Sequence, residues 1–193
     1  MSDMSHIIRK SPELISITRQ NLYKSLSLTG ATKTNNYDTT NLYYNKLKLP
    51  VQQVIRFAGL PPEQFGNESE RLLIRELGLQ PTTAPDYDGI LELTGHRIEI
   101  KCARYKISSA KLTPLDLKYK WTRINPLAEF DLILLALLDW DGFCIRILDR
   151  QQVIDLAEQI HSTRRTKNSS LHEKQTGKFV IHRDDLLGVK PSI

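Results

Sequence analysis

The chain has 193 residues, of which 40% are hydrophobic and 25% charged, enough for a globular domain with a substantial core. Its 27 basic and 22 acidic residues leave a formal net charge of +5, which favours an acidic partner such as nucleic acid. The longest apolar stretch, Phe130 to Leu138, contains Asp131 and is too short to cross a bilayer. The composition therefore predicts a protein without a membrane partner.

The first residues and the cysteines predict a cytoplasmic protein. Residues 1–6 lack the basic and then apolar layout of a secretory signal peptide. Cys102 and Cys144 both lie in apolar, strand-like runs, which is typical of reduced core thiols in the cytosol. No Cys or His has a sequence neighbour at the spacing of a zinc site, so zinc is not expected.

The first third of the chain predicts helices separated by a polar segment. Ser11 and Pro12 mark the start of a helix whose apolar spacing continues to about Leu28. Residues 29–41 are rich in Thr and Asn, as in a loop. A short helix is predicted from Pro50 to about Gly59. We interpret residues 1–62 as an N-terminal extension of helices and loops.

A helix with clearer start and end signals is predicted between Asn67, which would cap it, and Gly78, which would end it. Its apolar stripe consists of Leu72, Leu73, Ile74 and Leu77. Glu68 and Glu70 would then lie in the first turn, where acidic side chains balance the helix dipole. On this pattern alone, Glu70 is predicted to be such a dipole-balancing acid.

The rest of the chain predicts a sheet with helices on its faces. The predicted elements are a β-hairpin with strands at 87–93 and 97–102, an ambiguous and partly helical segment at 112–124, a strand buried on both faces at 130–138, a strand at 143–148, a helix at 150–161, a basic loop at 162–178 and a final strand at 178–182. The predicted fold class is α/β (α+β), with a mixed central β-sheet flanked by helices, in a core domain at 63–193.

The predicted hairpin carries the residues that indicate chemistry. Side chains alternate along a strand, so Glu99 and Lys101 share one face while Ile98 and Ile100 enter the core. Asp88 lies eleven residues before Glu99, a separation at which a hairpin brings two acids together. Two carboxylates with several waters suit Mg²⁺, and such a site supports hydrolysis of a phosphodiester. Lys101 would orient the attacking water or stabilise the developing charge.

Pro85-Asp86, Asp88-Gly89 and Glu99-Ile100-Lys101 resemble the signature of the PD-(D/E)XK nuclease superfamily, to which type II restriction endonucleases belong. The resemblance covers about residues 66–148. It implies a restriction-endonuclease-like αβββαβ core and Mg²⁺-dependent cleavage of double-stranded DNA. It also implies a homodimer and a cytoplasmic protein of bacterial or archaeal type.

The resemblance implies specific roles in the site. Asp88, Glu99 and Lys101 would be catalytic, together with Glu70 from the preceding helix. The metal would be bound by the carboxylates of Asp88, Glu99 and Glu70 and by the backbone carbonyl of Ile100. The first acid of the motif is either Asp86, which follows the proline, or Asp88, which begins the strand. We favour Asp88 because it stands directly before a glycine that permits close approach.

Basic residues follow the hairpin and fill the loop before the last strand. Between Lys101 and Arg123, seven basic residues are opposed by Asp116 alone. Such residues either form a solvated surface or contact DNA. The candidates for DNA contact are Arg104, Lys106, Lys111, Arg164, Arg165, Lys167 and Asn168. The sequence leaves two alternative functions open: a structure-specific, homing or repair nuclease with the same fold, and a DNA-binding protein without catalysis.

Overall fold

The computed structural model describes residues 12–28, 32–33, 45–105, 119–164 and 179–186. The α-helices in this part of the chain are α1 (Pro12–Leu28), α2 (Val51–Gly59), α3 (Pro62–Glu76) and α4 (Arg150–Arg164). The strands are β1 (Thr32–Lys33), β2 (Asn45–Lys48), β3 (Gln80–Pro81), β4 (Gly89–Leu91), β5 (His96–Arg104), β6 (Lys120–Ile124), β7 (Leu132–Asp139), β8 (Gly142–Asp149) and β9 (Phe179–His182). A 3₁₀ helix follows at Arg183–Leu186.

Seven strands form one mixed sheet with the order β1-β2-β8-β7-β5-β4-β3. β5 and β7 run parallel, and the other neighbouring strands run antiparallel. β6 and β9 form a separate two-stranded antiparallel ribbon. The N-terminal segment contributes β1 and β2 to the large sheet, where β2 pairs with β8. The predicted fold class, a mixed sheet flanked by helices, is therefore confirmed.

Both faces of the sheet are covered by apolar side chains. On one face, side chains of α2 and α3 pack against Ile98, Ile100 and Leu134. On the other face, side chains of α4 and of the β6–β9 ribbon pack against Ile133 and Leu135. All seven residues at 132–138 of β7 are buried, because alternate side chains enter the two clusters. This arrangement explains the continuous apolar run of that strand.

The predicted start of α3 at Asn67 is wrong, because the helix begins five residues earlier at Pro62. Pro61 occupies the N-cap position with extended backbone, and Pro62 stands at the first helical position. A proline there has no amide to leave unpaired and already has a helical φ, so this proline pair starts the helix before Asn67. Glu70 consequently lies in the middle of α3, too far from its N-terminus to balance the helix dipole.

α1, α2, the hairpin of β4 and β5, the strands β7 and β8, and α4 are confirmed within three residues at their ends. The expectation of a loop throughout residues 29–41 is wrong, because Thr32–Lys33 form β1, and residues 162–164 of the predicted basic loop belong to α4. Within the segment 112–124, which was predicted as ambiguous and partly helical, residues 120–124 form β6, and residues 112–118 lie outside the described residues. In the described ranges, no helix combines the length and apolar character needed to cross a membrane.

Candidate active site

The β4–β5 hairpin holds Asp88 against the edge of β5. Gly89 pairs with Ile98 in the antiparallel ladder, and the Asp88 amide donates to the Ile98 carbonyl at 2.9 Å. The Ile100 amide then donates to Asp88 Oδ2 at 2.6 Å. Because the amide and the carbonyl of one strand residue point toward the same neighbouring strand, the Ile100 carbonyl lies on the same side as Asp88.

Gly89 is required by close packing within the sheet. A Cβ added there would lie 3.0 Å from Leu79 Cβ and 3.4 Å from the Gln80 carbonyl oxygen. The close approach predicted at this glycine is therefore made by residues at the start of β3. A larger residue at position 89 would require Leu79 to move by a few tenths of an ångström.

Glu99 and Lys101 lie next to each other along β5 and form an ion pair. Their side chains are only 14% and 24% exposed, respectively. Ile98 and Ile100, between and beside them, are buried in the cluster formed with α2 and α3. The predicted alternation is therefore confirmed, and the face that bears the two charged side chains is itself half-buried.

The surroundings of Glu99 disfavour its ionised form. Burial raises the pKa of Glu99 to about 7, although the charge of Lys101 acts in the opposite direction. The charge of Asp88 and a hydrogen bond between the Asp88 and Glu99 carboxyl groups raise this pKa further. The Asp88 and Glu99 carboxyl groups therefore lie next to each other, as two ligands of one divalent cation would.

Glu70 of α3 approaches the same site. Burial raises the pKa of Glu70 to about 7, and the charge of Asp88 raises it further, while Lys101 and Arg71 lower it. α3 packs on the face of the sheet opposite to Glu99, so Glu70 reaches the electrostatic field of Asp88 and Lys101 from the far side of β5. Glu70 is therefore coupled electrostatically to Asp88 and Lys101, while a common site of Glu70 with Glu99 stays a prediction.

Cys102 follows Lys101 on β5 and belongs to the core side of this group. Burial raises the pKa of its thiol, and the charge of Glu70 raises it further. A buried thiol held in its neutral form is a poor nucleophile. This agrees with the prediction of a reduced core thiol.

The possible metal ligands at this site are all oxygen atoms, which suit Mg²⁺, but they are too few to surround the ion without added waters. In the parts of the chain that the structure describes, no three His, Cys, Asp or Glu side chains are grouped closely enough to hold a metal ion. Mg²⁺ does not need such a cage, because it commonly uses one or two carboxylates and keeps several waters. Asp88, Glu99 and the Ile100 carbonyl match that requirement. Ligation by Glu70 stays a prediction.

Arg104, a candidate for DNA contact, is engaged within the fold. Its Nη1 donates to the carbonyls of Phe57 at 3.1 Å and Ala58 at 2.8 Å, at the C-terminal end of α2. Its guanidinium also lies 4.8 Å from the centroid of the Phe65 ring. Arg104 therefore joins β5 to α2 and α3, and its contact with DNA stays a prediction.

The other candidates for DNA contact are largely outside the described residues. Arg164 is the last residue of α4, and only its backbone is described. The remaining five candidates, for which nothing is described, are Lys106, Lys111, Arg165, Lys167 and Asn168. Their contact with DNA stays a prediction.

Arg97 and Asp131 form a supporting contact that local sequence patterns do not predict. The Arg97 amide donates to Asp131 Oδ2 at 2.7 Å, and its guanidinium reaches both carboxylate oxygens at 3.3 Å. Asp131 is 9% exposed and stands directly before β7. This pair fixes the start of β5 against β7 and so sets the position of Glu99. In the sequence, Asp131 interrupts the apolar run from Phe130 to Leu138, and this interruption was the signal that could have indicated the contact.

No family model, no curated protein and no solved structure matches this chain.

The contacts within the chain favour Asp88 over Asp86 as the acid of the site. Asp88 accepts the Ile100 hydrogen bond, and its charge acts on both Glu70 and Glu99.

Proposed function

We propose that this chain is a Mg²⁺-dependent endonuclease that hydrolyses phosphodiester bonds in double-stranded DNA. The observation that carries the proposal is the position of Asp88, whose carboxylate is held by the Ile100 amide beside the Glu99–Lys101 ion pair. Two carboxyl groups and one ammonium thus lie together where β4 meets β5. They match the needs of metal-assisted phosphodiester hydrolysis.

Each residue has a definite task in this proposal. Asp88, Glu99 and the Ile100 carbonyl would hold Mg²⁺, and Glu70 would complete the set of acids. Bound Mg²⁺ would neutralise charge on a phosphate oxygen and would lower the pKa of a water ligand. Lys101 carries the positive charge next to Glu99, where it would stabilise the charge that builds on the phosphate and orient the attacking water.

We further propose a type II restriction enzyme with the αβββαβ core, acting as a homodimer in the cytoplasm of a bacterium or archaeon. α3, the β4–β5 hairpin, β7 and α4 follow the first five elements of this order, with β3, β6 and β8 as additions. The strand after α4, β9, pairs with β6 outside the large sheet. The net charge of +5 suits a polyanionic substrate. A homodimer suits a small chain that cuts both strands at a short symmetric site.

The experiment that tests the function is incubation of the purified protein with supercoiled plasmid and with genomic DNA of unrelated bacteria. We expect discrete fragments in Mg²⁺ and intact DNA in EDTA. Glu99→Gln, purified in the same way, controls for contaminating nucleases and should leave the DNA intact. If the protein leaves every DNA intact in Mg²⁺, the proposed catalytic function is wrong. Retained DNA binding would then favour a DNA-binding protein without catalysis.

A further inference from the structure

The β6–β9 ribbon shares no strand pairing with the large sheet, and its two faces differ in character. One face is buried against the sheet by Trp121, Ile124, Phe179 and Ile181. Trp121 Nε1 donates to the Ala136 carbonyl at 3.1 Å, which ties the ribbon to β7. The opposite face is exposed and polar, and it carries Lys120, Thr122, Arg123 and His182.

Arg123 projects from an irregularity in this ribbon. Among the described residues it is the one non-glycine residue with a positive φ, of 61°. The register of the β6–β9 ladder shifts between Trp121 and Ile124, so that Thr122 and Arg123 lie in a bulge. Bulges turn a side chain in a direction that a regular strand cannot provide. Glycine would adopt this φ without strain. Because the Arg123 side chain is exposed, its packing does not explain why arginine stands here in place of glycine.

The ribbon lies beside the candidate active site on the same face of the sheet. Trp121 packs in one cluster with Ala103 of β5, and Ala103 shares its face with Glu99 and Lys101. Ala103 is two residues beyond Lys101, which is about 7 Å along a strand. The ribbon and Lys101 therefore lie on the same side of the sheet.

The charge of the exposed face suits a polyanion. In the described part of the chain, neither Lys120 nor Arg123 forms an ion pair with an acidic side chain. The stretches of sequence directly before the two strands, 106–118 and 165–178, are also basic. A two-stranded ribbon fits the major groove of B-form DNA, and an arginine side chain donates two parallel hydrogen bonds to guanine O6 and N7.

We propose that the β6–β9 ribbon contacts the major groove of duplex DNA, with Arg123 as a base-reading residue and Lys120 as a phosphate contact. The proposal rests on the proposed function, because it names the element by which the same enzyme recognises its substrate. It assigns recognition to β6 and β9, in addition to the loops that the sequence analysis favoured.

The first arm of the test measures binding without cleavage. Wild type, Lys120→Ala, Arg123→Gly and the control Lys48→Ala, which removes an exposed lysine of β2, are titrated onto a short duplex of mixed sequence in EDTA. Loss of one phosphate contact should lower the slope of log affinity against log salt concentration by about 1 for Lys120→Ala. Lys48→Ala should bind like wild type. Arg123→Gly should keep or raise the melting temperature, since it removes the strained φ.

The second arm sequences the ends of the fragments that each variant cuts from plasmid and genomic DNA. Arg123→Gly should relax the preference for guanine at one position of the site by about 10-fold or more. If Lys120→Ala and Arg123→Gly bind and cut like wild type, the ribbon proposal is overturned while the nuclease survives. If wild type cuts no DNA but both variants weaken binding, the ribbon proposal stands and the catalytic function fails.

Discussion

The amide of Ile100 donates a hydrogen bond of 2.6 Å to the carboxylate of Asp88. This contact joins the residue directly before β4 to the middle of the Glu99-Ile100-Lys101 motif on β5. It fixes one carboxylate before any ligand binds, which lowers the entropic cost of forming a metal site. It also favours Asp88, two residues after the proline-linked acid, as the first acid of the motif.

The first prediction separates the two candidate acids. Asp88→Asn keeps an oxygen that can accept the Ile100 hydrogen bond but loses the charge that a cation needs. We expect cleavage to fall by about 100-fold or more, with little change in the melting temperature. Asp86→Asn is the matched control and should cut like wild type. The reverse result would assign the metal to Asp86.

The second prediction concerns the stability of the metal-free protein. The folded-state pKa values of Glu70 and Glu99, about 7, lie above the ordinary value of 4.5. The contribution of these groups to stability is therefore fully present below about pH 4.5 and is lost as pH rises through 7.

Urea unfolding in EDTA at several pH values measures this loss. We expect the free energy of unfolding to fall by on the order of 1 kcal/mol between pH 5.5 and 8. Glu99→Gln should reduce that slope, because glutamine does not titrate. An equal slope in wild type and Glu99→Gln would contradict the assigned environment of Glu99.

The third prediction concerns Mg²⁺ binding. A cation that binds only the folded protein raises its melting temperature in proportion to the logarithm of the cation concentration. We expect Mg²⁺ to stabilise wild type at pH 8 and to have a much smaller effect on Glu99→Gln and Asp88→Asn. Asp139→Asn removes a carboxylate that pairs with Lys46 in a different part of the sheet, so it should keep the Mg²⁺ response. Equal Mg²⁺ responses in all variants would place the ion elsewhere.

The fold was predictable where the signal is local. The alternation in β5 and the continuous apolar run of β7 correctly predicted strands, because these patterns depend on neighbouring residues alone. Asn67 is a good capping residue, but the earlier Pro61-Pro62 pair starts α3. β6 was obscure because its partner, β9, lies more than fifty residues later and because a bulge breaks its alternation.

The site, too, was predictable where it depends on residues that are close in the sequence. Asp88, Glu99 and Lys101 come together through one short hairpin, so their spacing predicted their proximity. The approach of Glu70 depends on how α3 packs against β5, which no local pattern encodes. The engagement of Arg104 by the carbonyls of Phe57 and Ala58 likewise joins residues far apart in the chain.

The fourth prediction tests this structural role of Arg104. Arg104→Ala removes two hydrogen bonds and the contact with the Phe65 ring, so we expect a loss of about 1–3 kcal/mol in the free energy of unfolding. Urea unfolding of Arg104→Ala and of the exposed control Arg75→Ala measures the difference. Unchanged stability together with weakened DNA binding would show that Arg104 serves DNA contact instead.

The measurement that tests the central claim most directly compares cleavage and DNA binding in Lys101→Ala and Lys46→Ala. Both substitutions remove a half-buried, ion-paired lysine, but Lys46 pairs with Asp139 and Asp141 in a different part of the sheet. Lys101→Ala should lose cleavage by about 100-fold or more while it retains DNA binding, and Lys46→Ala should cut like wild type. Wild-type cleavage by folded Lys101→Ala would contradict the assignment of the active site.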